Sequence, residues 1–236
     1  MCGRYVSAKA ASDLVSLFDA KEFVGEDTRP SWNVAPTQKV PIVTERLEKT
    51  TGEIVRRVET ARWGLVPVWA KDPSVGSRAI NARSETVLEK PTFRSAAVKR
   101  RGIVPANGYF EWQKDGSKKI PTYLHPEDES GVLAFAGLYE FWRDKSIPDD
   151  DAPGAWLMTS TVLTRPASDV LGHIHDRSPI ILPEHMWADW LDPEQTDKSA
   201  IADFIDAVPE PHLVPRVVGP EVGNVRNNGH ELIDPA

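Results

Sequence analysis

Runs of apolar residues that suit strands outnumber those that suit helices along this chain. Residues 40–47 and 54–58 read as two strands joined by a polar turn containing Gly52. Further strand-like runs cover residues 102–113, 120–124, 132–142, 155–163 and 178–182, and Asp115-Gly116 suits a hairpin turn between the first two. Helical signals are fewer. Ser7 is placed to cap a helix over residues 8–19, with Leu14, Leu17 and Phe18 on one face. Residues 84–101 permit a helix that Pro91 should break in two. Residues 183–191 and 193–207 read as helices, each with proline in its first turn. The acidic stretch 144–154 has strand-like runs close on both sides and reads as an insertion loop. No internal repeat or low-complexity linker divides the chain. The pattern therefore predicts one α+β domain over residues 1–236, with a curled, mainly antiparallel, barrel-like sheet flanked by helices.

Composition narrows the function classes. No apolar run approaches the ~18 residues of a membrane span, and Met1-Cys2-Gly3-Arg4-Tyr5 lacks the basic and apolar regions of a signal peptide. A single cysteine excludes an internal disulfide and fits a reducing compartment, the cytoplasm or, with DNA as partner, the nucleoid. The net charge of −7 argues against a general coater of DNA. Positive charge is nonetheless concentrated, with Arg78, Arg83, Lys90, Arg94, Lys99, Arg100 and Arg101 in one segment. That is compatible with a local phosphate-binding face and equally with a solvated mixed surface. Eight tryptophans offer core packing or a stacking surface for bases.

Four places could carry chemistry. Cys2 has a small side chain that allows Met1 to be trimmed, which would expose a free α-amine beside the thiol, with ordinary pKa values of about 8 and about 8.5. Such a 1,2-aminothiol condenses with an aldehyde to an imine and closes to a thiazolidine, or it attacks a carbonyl as an N-terminal nucleophile. His173-Ile174-His175, if extended, would put both histidines on one face. They would then be a metal pair, a single acid/base, or ordinary surface residues. Glu111, set in Gly108-Tyr109-Phe110-Glu111-Trp112, is either desolvated and poised for proton transfer or faces water on an alternating strand. Asn81 and Arg83 point the same way on an extended segment, suiting a substrate hydroxyl or amine and a phosphate, or else they organise a loop.

The joint order of these strings resembles the SOS-response-associated peptidase family, also described as abasic site processing proteins. The resemblance rests on the opening Met-Cys-Gly-Arg-Tyr, Trp32-Asn33-Val34-Ala35-Pro36-Thr37 and Arg62-Trp63-Gly64-Leu65-Val66-Pro67. It extends through residues 81–86, 108–112, His175-Asp176-Arg177 and the closing 222–233. It implies a single α+β domain whose shallow groove receives single-stranded DNA containing abasic sites. No second cluster with metal-ligand spacing accompanies the histidines, so no metal or cofactor is expected, and the chain is expected to act as a monomer. By this similarity Cys2 is the nucleophile that traps ring-opened deoxyribose as a thiazolidine. Asn81 positions the sugar or the Cys2 amine, Glu111 shuttles protons, and His175 assists as acid/base. Arg4, Arg83 and Arg94 would hold flanking phosphates, Thr164 would help hold the substrate, and Trp69 would stack beside the lesion. Ser178 and Arg165 depart from residues more usual in the family at those places. The rival readings are an autoprocessing N-terminal-cysteine peptidase or amidase and a non-catalytic single-strand binder.

Overall fold

A computed structural model describes residues 2–26, 28–167 and 173–236. Strand β1 (Arg4–Ser7) and helix α1 (Ala11–Leu17) are followed by β2 (Phe23–Val24), β3 (Ser31–Val34) and the long hairpin of β4 (Lys39–Leu47) and β5 (Ile54–Trp63). Next come β6 (Asn81–Arg83), helix α2 (Arg94–Lys99), β7 (Arg101–Ala106), β8 (Gly108–Asp115), β9 (Lys118–His125), β10 (Leu133–Arg143) and β11 (Trp156–Pro166). Strand β12 (Arg177–Pro179), helices α3 (Trp187–Leu191) and α4 (Lys198–Ala207), and β13 (Val214–Val217) follow. No helix among the described residues is long and apolar enough to cross a membrane.

Two sheets build the frame. One runs β12-β11-β10-β7-β4-β5-β2, and an additional parallel pairing of β11 with β5 closes β4, β5, β11, β10 and β7 into a ring. The other, β13-β9-β8-β1-β3, is open and antiparallel. β10 is covered on both faces and is accordingly an almost unbroken apolar run, buried from Leu133 to Glu140. Between the ring and the open sheet lies a cluster holding Cys2, Tyr5, Trp63, Val104, Tyr109, Phe135 and Val162. The helices cover the ring elsewhere, where Leu14, Phe18, Trp190, Ile201 and Ile205 pack on Val43, Val58 and Ile103. The outer face of the open sheet, with Val6, Phe110 and Tyr123, is covered by Val222, Leu232 and Ile233 from the closing segment.

The fold class is as the hydrophobic pattern predicts, but several boundaries move. Ser7 ends β1, paired with Ser31, so it cannot cap a helix, and α1 begins only at Ala11 without a side-chain cap. Leu14 and Phe18 are buried as expected, whereas Leu17 is exposed. The single strand expected over 102–113 breaks at Asn107, whose side-chain oxygen accepts the Ala8 N–H at 2.8 Å while its own N–H donates to the Val6 carbonyl. Pro193 is not in the first turn of α4, because Asp197 caps that helix by accepting the Ala200 N–H at 2.8 Å. Residues 84–101 give only a short 3-10 turn (Ser84–Thr86) and α2, and Arg101 already belongs to β7. The acidic residues 144–154 form a loop between β10 and β11, closed by the Asp144 N–H donating to the Ala155 carbonyl at 2.9 Å.

Candidate active site

Alternation along β8 sets the acid. Tyr109 faces the cluster between the sheets and Phe110 the outer cluster, with Trp112 packed against the latter. Glu111 therefore points the same way as Tyr109, and it is 3% exposed. The open alternative of a water-facing carboxylate does not occur, because both faces of β8 are covered at this point. Burial pushes the Glu111 carboxyl up to about 7.

The register of β1 against β8, with Arg4 opposite Phe110, carries the start of the chain alongside Glu111. Cys2 sits there with 0% exposure, packed among Tyr5, Trp63 and Tyr109. This departs from the exposed terminus expected from the sequence, since Cys2, two residues ahead of β1, lies in the cluster between the two sheets instead of at the surface. Met1 itself lies outside the described residues. Burial, and after it the charge of Glu111, push the Cys2 thiol well above its ordinary value, so the sulfur is protonated at neutral pH.

Asn81 approaches from the ring. Trp63 Nε1 donates to the Ile80 carbonyl at 2.9 Å, the buried Ala82 anchors β6, and parallel pairing with Val162 to Thr164 of β11 fixes its register. Asn81 Nδ2 donates to the Cys2 carbonyl at 2.8 Å, tying β6 to the chain's start. Its Oδ1 is buried and has no hydrogen-bond partner among the described residues. An acceptor stranded beside Cys2 is poised for an incoming N–H or O–H.

His175 lies on the turn before β12, not on a strand, so the expected histidine pair on one strand face is not formed: Ile174 is buried and His173 is exposed. Nε2 of His175 stands 3.9 Å from Glu111 Oε2. Nδ1 accepts the Arg177 N–H at 3.0 Å and has Asp176 Oδ1 at 2.9 Å. The two neighbours favour opposite protonation of Nδ1. The amide is fixed by the backbone and the Asp176 side chain is mostly in water, so we assign Nδ1 as acceptor and place the proton of the neutral ring on Nε2, facing Glu111. Burial lowers the His175 pKa, which favours that neutral form.

The remaining expected residues divide. Trp69 is 62% exposed on a loop after β5, which is held by Trp142 Nε1 donating to the Ala70 carbonyl at 2.8 Å. Arg83 and Arg94 are exposed. Arg4 is not a free surface cation: its guanidinium donates to Asn33 Oδ1 at 2.8 Å and to the Val222 carbonyl at 2.9 Å, holding the closing segment. Thr164 is buried, and its oxygens accept from Arg177. Arg101, counted in the basic segment, is buried and spent on the carbonyls of Ala97, Val98, Trp190, Asp192 and Gln195, while Arg100 pairs with Glu140. No local pattern marks the Arg177–Glu85 ion pair beside His175, although Glu85 stands in the string 81–86 and Arg177 directly follows His175-Asp176.

Four side chains from distant parts of the chain thus meet: a cysteine at the chain's start, an amide with a spare acceptor, a carboxyl titrating near neutrality and a neutral imidazole. The family model described as "SOS response associated peptidase (SRAP)" matches residues 1–225. The chain is 35% identical over 237 residues to the abasic site processing protein YoqW of Bacillus subtilis, covering 99% of each. It is 32% identical over 241 residues to the abasic site processing protein YedK of Escherichia coli, covering 100% of each. A crystal structure of a protein from Bacteroides thetaiotaomicron superposes over 100% of both chains with a TM-score of 0.81 at 24% identity, a likeness that bears on the fold.

Proposed function

This chain belongs to the SOS response associated peptidase family, and from that premise we propose that it processes abasic sites by trapping their aldehyde on Cys2 in single-stranded DNA. The observation that carries this reading is the Asn81 contact, which holds the Cys2 carbonyl at 2.8 Å and leaves a buried acceptor beside the same residue. Removal of Met1 would convert the Cys2 amide nitrogen into a free amine and clear the acyl group attached to it. Asn81 Oδ1 would then receive that amine's N–H. Cys2 has no exposed surface, so this reading requires the start of the chain to open to the sugar. The amine then attacks C1′ of the ring-opened sugar, and loss of water gives an imine. The Cys2 sulfur adds to the imine carbon, its proton passes through a base, and the imine nitrogen takes up a proton, closing a thiazolidine.

Glu111 suits the transfers, because a group titrating at about 7 gives and takes protons with little penalty at neutral pH. A raised thiol pKa is compatible with this order of events. The amine acts first, and the sulfur need only lose its proton once an electrophile stands beside it. His175 Nε2, facing Glu111, would assist proton movement during imine formation and reversal. An imine alone draws electrons from the sugar and promotes β-elimination. Saturating that carbon with sulfur removes the sink, so the adduct protects the strand. Arg83 and Arg94 would grip flanking phosphates and Trp69 would stack on a neighbouring base, whereas Arg4 and Thr164 would act by supporting the site from behind. The protein would work as a monomer.

The test is incubation of Met1-free protein, verified by intact mass, with abasic and with intact single-stranded oligonucleotides, followed by denaturing electrophoresis. A covalent band with abasic DNA alone is expected, and it should vanish in Cys2→Ala. A heat-stable adduct surviving that substitution would remove Cys2 as the nucleophile. Protein that retains Met1 should be inert, since its nitrogen is an amide. An N-terminal-cysteine peptidase would instead turn over peptide.

A further inference from the structure

β11 touches both sides of the site. β6, which carries Asn81, runs parallel to it, with Thr164 opposite Arg83. β12, which follows His175, pairs antiparallel to it, with Thr164 opposite Pro179 and Pro166 opposite Arg177. The side chain of Arg177 crosses β11. It donates to the Thr164 carbonyl at 2.6 Å and Oγ1 at 3.2 Å, and its guanidinium grips both oxygens of Glu85, which lies four residues beyond Asn81. The same residue's backbone N–H holds His175 Nδ1. Without an anchor, a ring carried on a turn would be free to swing.

We propose that Glu85 and Arg177 form a positioning clamp across β11 that holds His175 Nε2 towards Glu111. Three features favour a built device over an incidental surface pair. The guanidinium is largely shielded, with 10% of its side chain accessible, although Glu85 is half in water. The grip is bidentate, a geometry that fixes orientation as well as distance. The hydrogen bonds from Arg177 hold the Glu85 carboxyl down to about 2, so the clamp stays charged through the whole range in which Glu111 and His175 change state. The clamp acts only through His175, and so it rests on the reading of that ring as acid/base in the adduct chemistry.

The experiment is single-turnover adduct formation by Met1-free protein with an abasic single-stranded oligonucleotide. Glu85→Gln and Arg177→Lys, which keeps the charge and loses the fork, are each made in the natural and the His175→Ala backgrounds. Each variant should slow the reaction at saturating DNA by on the order of tenfold, as misplacement of a reacting group does, with the half-saturating DNA concentration unchanged. In the His175→Ala background neither should slow it further, because the partner they act through is gone. A natural rate in both clamp variants overturns the proposal. So does an equal loss in the two backgrounds, the signature of general damage to the fold. His175→Ala reacting at the natural rate would overturn the role of the ring and the clamp together. No adduct from the unsubstituted protein would instead sink the proposed function.

Discussion

Enclosing a carboxyl between two packed sheets favours its neutral form, and at Glu111 this effect reaches stability as well as chemistry. Its folded pKa of about 7 lies above the ordinary 4.5, so the folded chain holds this proton more tightly than the unfolded chain does. The stabilising contribution is fully present below about pH 4.5 and is lost as pH rises through about 7. Glu111→Gln removes the titration. Relative to the unsubstituted protein it should therefore gain stability between pH 5 and pH 8, by up to about 3 kcal/mol at about 1.4 kcal/mol per pKa unit. Urea unfolding at the two pH values checks this, and a difference that does not change with pH would show that Glu111 does not hold a buried proton. The same substitution should slow adduct formation, since an amide cannot relay protons. Gain of stability with loss of rate is the expected signature of a group strained for function.

The elements that position these side chains depend on one close crossing. Gly64, at φ +124° just after β5, lies against Gly76, and a Cβ on Gly76 would meet the Gly64 carbonyl oxygen at 2.4 Å. Gly76→Ala must push apart the segments that lead to Trp69 and to Asn81. We expect it to lower the melting temperature and to slow adduct formation. Trp69→Ala, by contrast, removes only an exposed ring and should leave melting unchanged while weakening single-strand binding by about 1–3 kcal/mol, measured by anisotropy. This crossing was hidden in the sequence for the same reason that much of the site was. Strand periodicity located β4, β9, β10 and β11 to within a few residues, because apolar alternation is a local signal, but it gave only the first half of β5 and missed the end that meets β11. The closure of β5 onto β11 and the wedging of β6 beside β11 are pairings across roughly a hundred residues, and no local pattern records them. Likewise Arg4 and Arg101 look like surface cations in the chain, but they are consumed by carbonyls that only the fold brings near. Cys2, Asn81, Glu111 and His175 each kept a plausible structural role when read singly. What joined them was the order of whole strings resembling a known family, and what gives that order physical meaning is the meeting of β1, β6, β8 and the turn before β12.

At the scale of the molecule, a chain of net charge −7 must still approach a polyanion. Long-range attraction cannot come from the total, so on the proposed reading it is expected from local exposed cations, with those on and around β6 and α2 as the candidates. Of the seven cations concentrated in sequence, Arg101 is buried among carbonyls and Arg100 is neutralised by Glu140. Arg78, Arg83, Lys90, Arg94 and Lys99 remain exposed. Each phosphate neutralised on a single strand releases counterions worth a slope of about −0.7 in log affinity against log salt. Affinity for an abasic single strand should therefore fall with salt, with a slope set by this small set and not by the chain's 28 lysines and arginines. Arg83 is the sharpest probe, because it shares β6 with Asn81 and its exposed side chain alternates with the buried Ala82. Arg83→Ala should make the slope shallower by about 0.7 and weaken binding to any sequence alike, while melting stays unchanged. A salt titration of the variant that reproduced the original slope would place the phosphates on a different face and separate Arg83 from the DNA path.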